Sequence, residues 1–164
     1  MALVRREDKV AYIGVTSGET VKNYRMRNFT DMSISKNPVE YSRRYVDESA
    51  ERTDVTGYSD SISYGFDQDT ENEAHKAIIA ISDNEMTGDS ACVDIIIVDM
   101  TQEITATPGS YKTKKRRFTV VPDSEGDSSD AYTYSGTLKA NGKTVWGKAT
   151  TADEWKTCTF TADA

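Results

Sequence analysis

A chain of 164 residues has the length for one compact domain with a real core and no surplus for a second of full size. Only 37% of it is hydrophobic while 29% is charged, so its core is thin, as in a β-sandwich with long polar loops or a protein that gains burial by oligomerising. A net charge of -7 and a pI near 4.8 argue against tight binding to DNA or an anionic membrane, because phosphate affinity comes from clustered Lys and Arg.

Residues 1–9 are polar and charged and read as a frayed terminus or an arm lying on a neighbour; they carry no apolar h-region of a signal peptide. Val10 to Val15 is β-prone, and Ser17-Gly18-Glu19 is turn chemistry leading into Val21 to Arg27, which together predict an opening hairpin. From Thr30 the period is two, with Met32 and Ile34 on one face and Ser33 and Ser35 on the other. The alternation returns in Ile62, Tyr64 and Phe66 against Ser61, Ser63 and Gly65, so the two strands are natural partners.

Between these strands lies Lys36 to Ser59, where Glu40, Arg43, Arg44, Asp47, Glu48, Glu51, Arg52 and Asp54 interleave with Tyr41, Tyr45 and Tyr58. It is too long for a hairpin turn, and long connections in compact domains are functional or disordered. Val39, Tyr41, Tyr45, Val46 and Val55 are β-branched or aromatic residues that disordered linkers lack, so an ordered extension is expected.

One helix is predicted over about 70–84, opened by a Thr70/Glu73 capping box and carrying Ala74, Ala77, Ile78 and Ile81 on one face to cover an open side of the sheet. Ala91 to Met100 is a nearly continuous apolar run, which implies a strand buried on both faces or facing an interface. Tyr111 to Val121 is a strand that begins in Lys112, Lys114, Lys115, Arg116 and Arg117. Alternation divides those charges between two surfaces, for inter-subunit ion pairs with the acidic loop 123–130 or for a charge-blunted edge. Asn141-Gly142 predicts a hairpin between Ala131 to Ala140 and Lys143 to Ala149 that pairs Leu138 with Val145. A last strand, Trp155 to Thr161, carries Cys158 and Phe160 inward, and Cys92 and Cys158 read as buried free thiols.

Catalytic signatures are missing. The one histidine, His75, has no nucleophile tied to it by motif and reads as a solvated or interface residue. No C-x-x-C, H-x-x-x-H, EF-hand or Gly-rich phosphate-binding string occurs, so no metal, cofactor or catalytic residue is expected and the chain does not read as an enzyme. The longest apolar run, Ile95 to Val98, is far too short to span a bilayer.

Three stretches carry a family likeness: Tyr24-Arg25-Met26-Arg27-Asn28-Phe29-Thr30 with Ser33-Ile34-Ser35-Lys36-Asn37-Pro38, Tyr41-Ser42-Arg43-Arg44-Tyr45-Val46-Asp47-Glu48, and Glu51-Arg52-Thr53-Asp54-Val55-Thr56-Gly57-Tyr58. With Val121-Pro122-Asp123-Ser124-Glu125-Gly126-Asp127 and Tyr132-Thr133-Tyr134-Ser135-Gly136, they resemble the tail tube (major tail) proteins of long-tailed phages of Gram-positive bacteria. The likeness covers nearly the whole chain and lies in overall pattern and order.

The resemblance implies a mainly β sandwich or barrel-like tail tube domain over 1–164, with one flanking helix and a long early inter-strand loop. It further implies six-fold rings of this chain stacked into a hollow tube through which DNA passes without specific binding, and a virion protein made in the host cytoplasm. Tail-tip, tape-measure and tail-terminator proteins are the implied further partners, with no membrane insertion by this chain. The loop reaching the adjacent ring maps to 36–59, with Tyr41, Arg43, Arg44, Tyr45, Asp47, Glu48, Glu51, Arg52 and Asp54, and Arg5 and Arg6 lie on the implied N-terminal contact. Ser33, Ser35, Ser61 and Ser63 are candidates for the lumen wall, because small hydroxyls on an acidic protein give a phosphate backbone nothing to grip. The alternatives are the inner tube of a contractile tail or secretion system, and a β-sandwich module binding carbohydrate or a host surface, with Trp146 and Trp155 as stacking platforms.

Overall fold

The computed structural model describes residues 2–163. The expected opening hairpin joins β1 (Lys9–Ser17) and β2 (Thr20–Arg25) through Gly18, whose φ of 66° suits a residue with no Cβ. β3 (Phe29–Ser35), β4 (Pro38–Arg43), β5 (Arg52–Tyr58) and β6 (Ser61–Asp67) follow, then the helix α1 (Glu73–Asp83). β7 (Cys92–Glu103), β8 (Tyr111–Glu125), β9 (Thr133–Ala140), β10 (Val145–Thr150) and β11 (Thr157–Ala162) complete the chain.

Nine strands form one sheet in the order β10-β11-β2-β1-β7-β8-β9-β6-β3, and a further pairing of β10 with β8 closes six of them into a barrel. Val10, Tyr12, Ile96, Val98, Ala149 and Cys158 fill the barrel, where the Tyr12 hydroxyl donates to the Trp155 carbonyl at 2.8 Å. Burial pushes both the Tyr12 phenol and the Cys158 thiol up, the thiol to about 12, so neither ionises near neutral pH. β10 and β11 cross closely at Gly147, where a Cβ would run into the Thr161 carbonyl.

β8 is the hinge of the architecture. At 15 residues it is long enough to serve two sheets: its start, Tyr111 to Lys115, pairs with β10 in the barrel, and its end, Phe118 to Glu125, pairs with β9 in an extension β9-β6-β3. α1 covers one face of that extension, burying Ala74, Ile78 and Ile81 against Ile62, Tyr64, Phe66, Leu138 and Val120. β7 serves both cores: Ile95 faces the helix side and Ile96 the barrel interior, which accounts for its unbroken apolar run.

Four expectations are corrected. β9 and β10 do not form an Asn141-Gly142 hairpin: both run antiparallel to β8 along the same edge, one after the other, so the chain continues instead of reversing. Leu138 therefore pairs with Ile62 and Val120, and Val145 with Lys115. α1 is capped by Asn72, not Thr70. The Asn72 side-chain oxygen accepts from the Ala74 and His75 amides at 3.0 and 3.4 Å while its nitrogen donates to the Arg27 carbonyl at 2.8 Å, so one buried amide closes the helix and ties it to the β2–β3 connection.

His75 is fully buried, not solvated. Its ring stacks on Phe66 at 4.1 Å and meets Phe29 edge-on at 5.0 Å, and its Nδ1 accepts from the Asp69 amide at 3.2 Å. Burial lowers its pKa, opposed by the Arg27 and Asn28 carbonyls and the Asp69 and Asp67 carboxylates, and the neutral ring is the favoured form. Finally, β8 is no edge strand, since it is paired along both sides, and its basic residues therefore do not serve to blunt an edge.

Candidate assembly surfaces

The segment 36–59 is a two-stranded ribbon rather than an irregular loop. β4 and β5 pair from Pro38↔Tyr58 to Arg43↔Arg52 and form a sheet of their own. They continue the β3–β6 ladder past Ser35↔Ser61, beyond the point where β9, whose last pair is Ser61↔Lys139, lends support. At the base the Asn37 side chain donates to the Ser59 carbonyl at 3.0 Å and to Ser61 Oγ at 2.9 Å, and Lys36 pairs with the buried Asp60 at 3.4 Å. Arg116 reaches the same Asp60 oxygen at 3.2 Å, so the ribbon is anchored to β8 through a shared carboxylate.

Along the ribbon nearly every residue is exposed, and the exposure includes large apolar groups: Tyr41 at 46%, Tyr45 at 44%, Val55 at 51% and Val46 at 108%. Arg43 and Arg52 stand opposite one another, a like-charge pair that on its own would weaken the ladder. Glu48 compensates by taking a two-pronged contact from Arg52, and the Tyr45 ring lies 5.6 Å from Arg43 and 5.4 Å from Arg52. Arg43 also sits 5.1 Å from the Tyr41 ring. The result is an ordered aromatic and cationic tip. Among the described residues no ion pair ties Arg44, Asp47, Glu51 or Asp54 to the rest of the chain.

The N-terminal segment ends in a single 3-10 turn, Arg6–Asp8. Arg6 donates to the Lys9 carbonyl at 2.8 Å and to the Met32 carbonyl at 3.1 Å, which holds the segment to the free edge of β3. The Arg5 side chain pairs with its neighbour Glu7 at 3.3 Å, while its backbone amide donates to the Asp8 carboxylate at 2.8 Å.

Ser33, Ser35, Ser61 and Ser63 lie on the face of β3 and β6 opposite α1, outside both cores. Ser33 and Ser63 share a hydroxyl contact of 2.7 Å, Ser63 donates to Asp31 at 3.1 Å, and on the strands beyond Ser124 and Ser135 repeat the pattern at 2.8 Å. That these four serines share one face was legible in the alternation. The extension of this hydroxyl face across β9 and β8 depended on a register that no single strand reveals.

The basic run of β8 divides as alternation requires. Lys115 and Arg117 turn to the face that carries their ion-pair partners Asp94 and Asp89, while Lys112, Lys114 and Arg116 take the other. A groove of about 640 Å³ runs there between the outer faces of β1, β7 and β8 and the free strand β3. Lys9, Lys36, Lys112 and Lys114 line it with Arg5 and Arg6, and Asp99 is the one acidic residue among them. Burial lowers the Lys114 pKa, and the neighbouring Lys36 lowers it further. Sequence reasoning missed this groove, since four separate segments supply its charges. Among the described residues no group of His, Cys, Asp or Glu is placed to hold a metal ion, and no helix is long and apolar enough to cross a membrane.

No family model matches the chain, and no curated protein matches it. Among solved structures it is similar to a chain of the tail of an empty GTA particle, refined helically with C6 symmetry, at a TM-score of 0.59 and 11% identity over 87% of this chain and 97% of that one. A chain of the six-fold symmetrised baseplate of the anti-feeding prophage is similar at a TM-score of 0.45 and 9% identity, over 89% of this chain and 95% of that one. The first likeness shows that this fold also occurs in the tail of a GTA particle.

Proposed function

We propose that this chain is a structural tail protein of a long-tailed phage or phage-like particle, one domain that assembles with copies of itself into six-fold rings stacked as a tail tube. The observation that carries the reading is the β4–β5 ribbon: an isolated two-stranded hairpin is marginal in water, and this one leaves Tyr41, Tyr45 and Val46 exposed, the two rings flanked by the ribbon's own Arg43 and Arg52. A fold shared with a chain of a C6-symmetric tail supports the ring as the assembly that covers them.

In this reading the ribbon reaches the neighbouring ring. Tyr41 and Tyr45 supply buried area, and Arg43, Arg44 and Arg52 pair with carboxylates there, consistent with the favour that Tyr and Arg find at interface hot spots. Asp47, Glu48, Glu51 and Asp54 give the same tip acceptors for a partner's cations, and the segment bearing Arg5 and Arg6 makes a second contact. Ser33, Ser35, Ser61 and Ser63 line the lumen, where hydroxyls and the net charge of -7 let DNA pass without a counterion-release attraction. The chain has no catalytic task in this scheme; tail-tip, tape-measure and tail-terminator proteins complete the tail.

The test is negative-stain microscopy of the intact protein beside a deletion of residues 40–56. The intact chain forms rings or tubes at high protein concentration, and the deletion stays a folded monomer. Monodisperse intact monomers overturn the assembly reading, and tubes from the deletion overturn the role given to the ribbon.

A further inference from the structure

The cationic groove and the acidic β8–β9 turn are complementary and lie at opposite ends of one strand. Phe118 to Leu138 holds four carboxylates, Asp123, Glu125, Asp127 and Asp130, and no basic residue. Among the described residues none of the four makes an ion pair. In the groove Arg6 donates to two carbonyls, Lys112 lies 4.9 Å from the Trp146 ring and makes no ion pair among the described residues, Lys36 is paired with Asp60 at 3.4 Å, and Asp99 is taken by Lys9 at 3.5 Å.

Lys112 and Glu125 stand near the two ends of β8, roughly 40 Å apart at the rise of an extended strand, so the turn cannot fold back into the groove of its own chain. We infer that the groove between β3 and the β1-β7-β8 face receives the acidic β8–β9 turn of a second copy of this chain. The contact joins two different patches, so it is heterologous, and a repeated heterologous contact closes into a ring or runs on as a filament instead of stopping at a two-fold dimer.

The turn fits this role better than the β4–β5 ribbon. Within Pro38 to Tyr58 five carboxylates are offset by Arg43, Arg44 and Arg52, and Glu48 is already engaged by Arg52. The groove's apolar floor, with Met32, Ile34 and Trp146, also offers cover for the exposed Tyr132 at the root of the turn. The inference rests on self-assembly as proposed above and adds which two surfaces meet.

Carbodiimide coupling of lysine to carboxylate, applied to an equal mixture of unlabelled and 15N-labelled intact protein, reads the contact. Tryptic digestion isolates the turn as the peptide Phe118 to Lys139. The expected result is mixed-isotope crosslinks between Lys36, Lys112 or Lys114 and that peptide. A turn variant, Asp123→Lys with Asp130→Lys, loses these crosslinks on the order of tenfold, as charge reversal at a docking surface implies. Mixing it with a groove variant, Arg6→Glu with Lys112→Glu, gives reversed crosslinks from the introduced turn lysines of one chain to the introduced groove carboxylates of the other, because each variant's altered patch meets its opposite. All four substituted positions are exposed, and circular dichroism is the check that each variant is folded.

Groove lysines that crosslink between chains only to other carboxylates, such as those of the ribbon, overturn the inference, as do crosslinks unaffected by reversal. Tubes without the expected crosslinks sink this contact and leave the assembly reading standing; crosslinks without rings or tubes do the opposite.

Discussion

Two hairpins of this protein have similar residues and opposite fates. β1–β2 and β4–β5 are both antiparallel pairs that mix tyrosine and valine with charged residues, yet Tyr12 is wholly buried while Tyr41 is 46% exposed. The first is flanked by β7 on one side and β11 on the other and has a barrel to fill; the second has no strand on either side. Burial is set by which neighbours the topology supplies rather than by how apolar a segment is. The hairpin that lacks neighbours within its chain is therefore the one expected to seek them in another.

Tyr12 and Tyr41 mark the two extremes of burial, and Tyr12 carries the largest expected effect. Tyr12→Ala removes a full side chain from the barrel and its hydroxyl bond to Trp155, and should cost about 3–5 kcal/mol in urea unfolding of the monomer. A loss under about 1 kcal/mol would show that the barrel interior is no core.

The helix-covered sheet is the intermediate case, covered by a single amide-capped helix. Asn72→Ala strips the cap and leaves the Arg27 carbonyl without its donor, for an expected loss of about 1–2 kcal/mol by the same measurement. Thr70→Ala should change little.

His75 gives that region a pH dependence. Its folded pKa lies below its unfolded value because burial disfavours the imidazolium, so the unfolded chain binds the extra proton. Stability is fully present above the unfolded pKa of about 6.5 and falls as the pH drops below it. Urea midpoints compared at neutral and mildly acidic pH should show this decline, and His75→Phe should flatten it. A decline that persists in the variant would assign it to another group.

Tyr41→Ala should have the smallest effect on the monomer, within about 0.5 kcal/mol, and a disproportionate one on assembly. Destabilisation comparable to Tyr12→Ala would mean that the ribbon is braced by its own chain.

Much of this arrangement was legible from local pattern. The alternation of Met32 and Ile34 with serines, and of Ile62, Tyr64 and Phe66 with serines, correctly paired β3 with β6, and Ser17-Gly18-Glu19 marked the first hairpin. These readings succeeded because a half-buried strand writes its environment at period two. Asn141-Gly142 misled because turn chemistry reports a local bend and not what lies beyond it, and β8 is long enough to take β9 and β10 in succession. His75 misled because an imidazole between two phenyl rings has no sequence signature, and Thr70 because a nearby Asn, the better cap, was close enough to take the helix start.

The amino-acid sequence alone determined a mainly β chain with one helix, an acidic surface, an ordered segment at 36–59 and a basic strand whose charges must divide between two faces. Those properties depend on composition and on neighbours a few residues apart. Tertiary structure alone decided that six strands close into a barrel, that 36–59 stands out as a ribbon, and that Arg6, Lys9, Lys36, Lys112 and Lys114 converge on one groove. Convergence of that kind joins residues from separate strands through the register of a curled sheet, and register is a property of the whole ladder.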